Sequence, residues 1–296
     1  MVRFLSGAAI LCVVLTPSAA FAQDKFFDSN GVQIRYLELG AGDPVVLVHG
    51  RGDTLESSWV DTGVLSNLAK SHRVIALDCR GHGRSGKPHD AKQYGPEMGL
   101  DIVRLLDHFG IARAHVVGYS MGANIVAQLL TTHPDRFLTA TLGGSAGRFR
   151  WTAKDDQLFE LEAAETERWG FSPSMQLRTA PPNTPKLTGE EIKRRSAVAL
   201  SDMNRDRHAV AALIRSFRDQ VITPAQVGAV SVPTMGIAGS ADPIVLDVHD
   251  LKKLRPALTL VVIDGATHSG ERGARHRPEF VAAIREFISS YGKLPR

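Results

Sequence analysis

Ser120 is the first residue whose setting points to chemistry. It stands in Gly118-Tyr119-Ser120-Met121-Gly122, where small residues on both flanks permit a tight turn that lifts a hydroxyl clear of the backbone. A neutral serine is a poor nucleophile, so it needs a base within hydrogen-bond reach and an acid that holds the base in the useful tautomer. Both follow later in the chain: Asp242 in Gly239-Ser240-Ala241-Asp242-Pro243 and His268 in Gly265-Ala266-Thr267-His268. Acyl transfer through a tetrahedral intermediate also needs donors for an oxyanion, each worth about 3 to 4 kcal/mol. His49-Gly50-Arg51-Gly52 offers one, and the backbone N–H groups of Arg51 and Met121 are the candidate pair.

These residues are far apart in the chain and must be gathered by regular elements. Short runs of Val, Ile and Leu alternate with longer segments of helical period, the pattern of a mostly parallel sheet covered by helices. Strands are expected at 32–39, 45–49, 73–78, 114–118, 138–143, 234–238 and 259–263, and Asn30-Gly31 is a hairpin turn ahead of the first. The runs at 45–48, 74–77, 115–117 and 260–263 are apolar on both faces, which predicts strands buried under helices on both sides. The Arg51 loop, Ser120, Asp242 and His268 each follow a strand-like run. All four therefore belong at the C-terminal edge of the sheet, where ligands bind in such folds.

Helices follow from spacing: Leu100, Val103 and Leu106 with Gly110 as a stop, and Phe280, Ile284, Phe287, Ile288 and Tyr291 near the end. Between about 148 and 231 the alternation breaks, and three helical stretches replace it. The first, 154–169, carries six acids that read as a solvated face. The second opens with a capping box, Thr188-x-x-Glu191, and the third repeats Val210, Leu213, Ile214, Phe217 and Val221 on one face. A loop rich in Pro and Thr, 178–187, joins the first two. The division expected is a core of 23–147 and 232–296 with a helical cap, 148–231, inserted before the strand that leads to Asp242.

A chain of 296 residues, 43% hydrophobic and 22% charged, can bury a core without disulfides or structural metal, which excludes disorder as its main character. The net charge of +4 is spread along the chain, with no run of five Lys or Arg, so neither a nucleic-acid nor a lipid-headgroup partner is expected. Residues 1–22 read as a secretory signal peptide: Arg3, an apolar stretch from Phe4 to Leu15, and Ala20-Phe21-Ala22 as the cleavage site. The 12-residue apolar run is too short to span a membrane, which takes roughly 20. The mature chain would then begin at Gln23, in the periplasm or outside the cell, with Cys79 as its only thiol. None of the eleven histidines forms an H-x-x-x-H or H-E-x-x-H spacing, and no G-x-x-x-x-G-K-[ST] is present, so no metal or cofactor is expected. His49 and His82 read as structural hydrogen-bonders, and Cys79, just past a buried strand, as inert.

Taken together, His49-Gly50, Asp78-x-Arg80-Gly81-x-Gly83-x-Ser85, the G-x-S-x-G turn, the helical insertion, Asp242 and His268 resemble the α/β-hydrolase family over nearly the whole mature chain. The resemblance implies an eight-stranded, mostly parallel sheet, a Ser120–Asp242–His268 triad and no cofactor. The 78–85 run is similar to the form found in esterases, lactonases, carbon–carbon hydrolases and haloperoxidase-like members. Serine at 120 speaks against the dehalogenase and epoxide-hydrolase branches, which use an aspartate nucleophile. Arg51 holds a position that relatives often fill with an apolar residue, and its side chain could favour an anionic substrate. The function expected is cleavage of a small carboxylic ester or lactone through an acyl-enzyme. A carbon–carbon hydrolase or perhydrolase of the same fold, and a binding protein that does not turn over its ligand, are the alternatives.

Overall fold

In the computed structural model, residues 24–291 other than 182 and 203 are described. The leader read at 1–22 and the junction before Gln23 lie outside the described residues. Eight strands form one sheet: β1 (Lys25–Ser29), β2 (Val32–Leu39), β3 (Pro44–Val48), β4 (Arg73–Leu77), β5 (Ala114–Tyr119), β6 (Phe137–Gly143), β7 (Thr234–Gly239) and β8 (Thr259–Ile263), in the order β1-β2-β4-β3-β5-β6-β7-β8. β1 pairs with β2 and β2 with β4 antiparallel, and every other pairing is parallel. The hairpin turn is Asn30-Gly31, both at positive φ, 56° and 83°, the backbone that Asn-Gly adopts at least cost.

Among the described residues ten α-helices accompany the strands: α1 (Val64–Leu68), α2 (Pro96–His108), α3 (Met121–Thr132), α4 (Ala153–Trp169), α5 (Pro173–Arg178), α6 (Gly189–Ser201), α7 (Arg207–Arg215), α8 (Pro224–Ala229), α9 (Val245–Leu254) and α10 (Pro278–Ser290). Side chains alternate across the central strands, and each face has its own cover. Val46, Val48, Ile75, Leu77 and Val116 share a core with α2 and α3. Val45, Leu47, Val74, Ala76 and Val117 share another with α1 and α10. Each fully buried Val or Leu contributes about 1.5 to 3 kcal/mol relative to exposure, so the doubly covered strands fix the platform on which the loops stand.

β8 departs from the sequence expectation. It is an edge strand, at the end of the sheet opposite β1, and Val262 is 42% exposed, although its run is apolar on both faces. The pattern cannot tell an edge from a centre, because both alternate faces carry the same residue types.

The segment between β6 and β7 is helical, as its broken alternation predicts, but it contains α5 and α8 as well as the three helices expected. Both are single short turns opened by Ser172-Pro173 and Thr223-Pro224, too brief to show a period. The Thr188 box is half formed: Thr188 Oγ1 accepts from the Glu191 N–H, while the Glu191 carboxylate turns to Arg194 and Arg195. The six acids of α4 do not form one solvated face. Glu162 is fully buried beside Phe159, Ala163 and Thr166, because it lies on the helix's inward stripe and finds cations there. Among the described residues no helix is long and apolar enough to cross a membrane.

Candidate active site

Ser120 follows β5 directly and has φ 54° and ψ −112°, a backbone that costs a non-glycine residue about 1 to 3 kcal/mol. The surroundings enforce it. A Cβ at position 118 would come within 2.3 Å of the Gly122 carbonyl oxygen, and one at 122 within 2.1 Å of the Val48 carbonyl oxygen. Both flanking glycines are therefore required by close backbone approach, and the turn thrusts the Ser120 side chain out over the sheet edge.

The loops after β7 and β8 bring the other two residues to it. His268 Nε2 lies 2.9 Å from Ser120 Oγ, and His268 Nδ1 lies 2.7 Å from Asp242 Oδ2. The Ile244 N–H donates to Asp242 Oδ1 at 2.9 Å, so both carboxylate oxygens are held. Asp242 is buried, and His268 is 7% exposed. The arrangement fixes the tautomer: an N–H at Nδ1 facing the carboxylate leaves Nε2 free to accept the serine proton.

Backbone donors stand nearby. Met121 opens α3, so its N–H has no partner within the helix. The Arg51 N–H has no acceptor among the described residues, and a Cβ at the adjoining Gly50 would sit 3.4 Å from Ser120 Cβ. The loop after β3 thus lies against the serine, as expected from its sequence.

A support that sequence reading missed lies behind His268. The Tyr119 hydroxyl donates to the His268 carbonyl at 2.7 Å, and the Arg275 guanidinium stacks 4.4 Å from the Tyr119 ring centre. Arg275 also donates to Asp53 at 2.7 Å, and Asp53 Oδ2 accepts from Ser58. These contacts tie the β3, β5 and β8 loops together. The one signal in the sequence was the place of Tyr119 beside Ser120.

His49 is hydrogen-bonded within the protein at both ring nitrogens, as read from the sequence, whereas His82 Nδ1 lies 3.2 Å from the Arg80 carbonyl and its Nε2 has no partner among the described residues. His49 Nε2 accepts from the Cys79 N–H at 2.9 Å and Nδ1 donates to the Gly50 carbonyl at 2.8 Å. Burial and the neighbouring His49 push His82 down to about 3, so it is neutral at any working pH. Burial pushes the Cys79 thiol up, which suppresses the reactive thiolate.

An open cleft of about 1400 Å³ lies over the sheet edge and is lined by Ser120, His268, Arg51, Arg148, Arg178 and Phe217. The Arg51 side chain does not extend free into it. Arg51 Nη2 donates to Glu162 Oε2 at 2.7 Å, and Arg178 Nε donates to Glu162 Oε1 at 3.0 Å. Burial alone would raise the Glu162 carboxyl, but the two guanidinium groups outweigh it and hold the carboxyl below the usual range. Phe159, Glu162, Ala163 and Thr166 are spaced along one helical stripe, and that spacing is the signal by which sequence reading could have marked Glu162 as a charge on an inward face. Among the described residues no group of three or more His, Cys, Asp or Glu is placed to hold a metal ion.

A family model described as alpha/beta hydrolase fold matches residues 43–270. The chain is 38% identical over 129 residues, 43% of its length, to the dihydrolipoyllysine-residue acetyltransferase component of an acetoin cleaving system from Cupriavidus necator. It is 36% identical over 146 residues, 49% of its length, to a 2-hydroxymuconate semialdehyde hydrolase from a Pseudomonas species. It spans 33% of the first relative and 48% of the second. A thermophilic esterase from Thermogutta terrifontis shares the fold, with a TM-score of 0.71 at 23% identity over 91% of this chain and 99% of that one.

Proposed function

Since the chain belongs to the alpha/beta hydrolase fold family, we propose that it is a serine hydrolase that cleaves a small carboxylic ester or lactone through an acyl-enzyme on Ser120. The observation that carries this reading is the continuous relay from Ser120 Oγ through His268 to Asp242, at 2.9 and 2.7 Å, opening into the cleft. In the first step Ser120 Oγ attacks the carbonyl carbon while its proton passes to His268 Nε2. The Arg51 and Met121 N–H groups receive the negative charge that develops on the carbonyl oxygen. His268 then returns the proton to the leaving alkoxide, and an ester of Ser120 remains. Water, deprotonated by His268, attacks that ester, and His268 returns the proton to Ser120 Oγ as the bond to the acyl carbon breaks and the acid leaves. Asp242 keeps the imidazole oriented and stabilises its charged form throughout.

A second reading has support of its own. The 2-hydroxymuconate semialdehyde hydrolase relative, at 36% identity over about half of each chain, favours carbon–carbon bond hydrolysis at the same serine. Products separate the two. A panel of p-nitrophenyl esters of increasing acyl length, simple lactones and a vinylogous diketone, analysed for released alcohol, is the experiment. Ester or lactone turnover supports the first reading, and turnover confined to the diketone replaces it with the second.

A further inference from the structure

The wall of the cleft beside Ser120 carries more positive charge than its own carboxylates balance. Arg51, Arg148 and Arg178 meet there around the single carboxylate of Glu162, which Arg51 and Arg178 already occupy. Arg148 forms no ion pair among the described residues. It is packed among aromatic rings instead, with its guanidinium carbon 4.3 Å from the Phe217 centroid, 4.7 Å from Phe159 and 6.0 Å from Trp151. Among the described residues eight buried side-chain nitrogens and oxygens have no hydrogen-bond partner, and two of them, Arg51 Nη1 and Arg148 Nε, belong to residues that line this cleft. The Arg51 side chain is only 8% exposed. Of the nearby acids, Asp155 accepts from Thr152 at the start of α4, Asp156 accepts from Trp151 and Glu165 accepts from Ser172 and Ser174, while Asp247 lines the same cleft and forms no ion pair with Arg148. Burial, then the adjacent Arg178 and Arg51 charges, push Arg148 down to about 9. A guanidinium resists losing its proton, so Arg148 carries its charge with no ion-pair partner among the described residues.

We propose that Arg148 and Arg51 form a subsite for the carboxylate of an anionic substrate: an ester, or related carbonyl compound, that carries a free carboxylate in addition to the bond cleaved. Buried polar atoms in folded proteins nearly always have partners, and two orphaned guanidinium nitrogens on the wall of a cleft mark where a ligand supplies them. Arg148 is the main anchor because no protein carboxylate competes for it. The aromatic rings around it hold the planar group in place and exclude water, which strengthens a charge-assisted hydrogen bond. Arg51 thereby contributes twice, with its backbone N–H toward the oxyanion and its side chain toward the distant carboxylate. This deepens the hydrolase reading and rests on it for the role of Ser120.

The test compares mono-p-nitrophenyl adipate with its methyl ester, which differ only in the free carboxylate, and measures p-nitrophenol release. The wild type is expected to favour the anionic ester in kcat/KM by roughly ten- to a hundredfold, the range of one charge-assisted hydrogen bond. Arg148→Met should bring that ratio close to one, chiefly through KM, and Arg148→Lys should retain part of it. Equal turnover of the two esters by the wild type, or an unchanged ratio in Arg148→Met, overturns the subsite and leaves the hydrolase reading standing. If neither ester is cleaved, the hydrolase reading is decided by the wider substrate panel, and calorimetry with adipate alone decides the subsite. Binding to the wild type that is lost in Arg148→Met supports it, and no binding overturns it. Should Arg148→Met not fold, Arg148→Lys and the wild-type ratio carry the same decision.

Discussion

Two regions of the cleft obey opposite rules. At the sheet edge, Ser120 Oγ, both ring nitrogens of His268 and both carboxylate oxygens of Asp242 have partners within the protein. On the facing wall, Arg51 Nη1 and Arg148 Nε have none. The first arrangement is complete before any ligand arrives, which is what preorganised proton transfer requires. The second is incomplete, with three guanidinium groups around one buried carboxylate. Under the proposed reading, the proton relay lies in the sheet-edge loops whose side chains are already paired, and the choice of substrate lies in the wall whose side chains are not.

The largest effects should come from breaking the satisfied side. Ser120→Ala and His268→Ala are each expected to lower kcat by roughly 10⁵- to 10⁶-fold, and the double variant should fall no further, because the residues act as a unit. Asp242→Asn keeps the shape but favours the wrong imidazole tautomer, and should lose about 10⁴-fold. Steady-state kinetics on any ester that the wild type cleaves checks all of these, and multiplicative losses in the double variant would break the comparison.

On the facing wall the expected effect is on stability. Glu162→Gln leaves Arg51 buried without a counter-charge and should destabilise by about 3 kcal/mol. Arg148→Met abandons no carboxylate and should cost less. Urea unfolding of both variants sharpens the contrast, and equal losses would mean that Arg148 is paired after all.

The smallest effect is a pH dependence. Burial pushes His82 down to about 3 and His115 down to about 4, from an ordinary value of 6.5. The unfolded chain therefore binds protons that the folded chain refuses. The contribution is fully present above about pH 6.5 and is lost progressively as pH falls toward 4. Tm should decline between pH 7 and 4, and His82→Gln should flatten that slope. A wild-type Tm that stays level over this window would contradict it.

What the sequence made legible was the satisfied region. Seven strands lay within a residue or so of their sequence positions, and the Gly118-to-Gly122 turn, Asp242 and His268 came together as expected. Local rules set these features: glycine where a Cβ would strike backbone, and loops at the C-terminal ends of parallel strands. The wall was less legible because it depends on pairing across long separations. Glu162 reaches Arg51 across 111 residues and Arg178 across 16, and neither partner is marked by spacing. The 78–85 run was legible as a motif but not in its role. Asp78 accepts from the Leu55 and Arg84 N–H groups and pairs with Arg35, so the run braces the loops from below and does not face substrate.

The central claim is that Ser120 is the nucleophile. The most direct measurement treats the wild type with a fluorophosphonate and reads intact mass and peptide mass. One adduct, located on Ser120, absent in Ser120→Ala and formed slowly in Asp242→Asn, is the result predicted. Labelling of a different residue, or ester turnover that persists in purified Ser120→Ala, would contradict it.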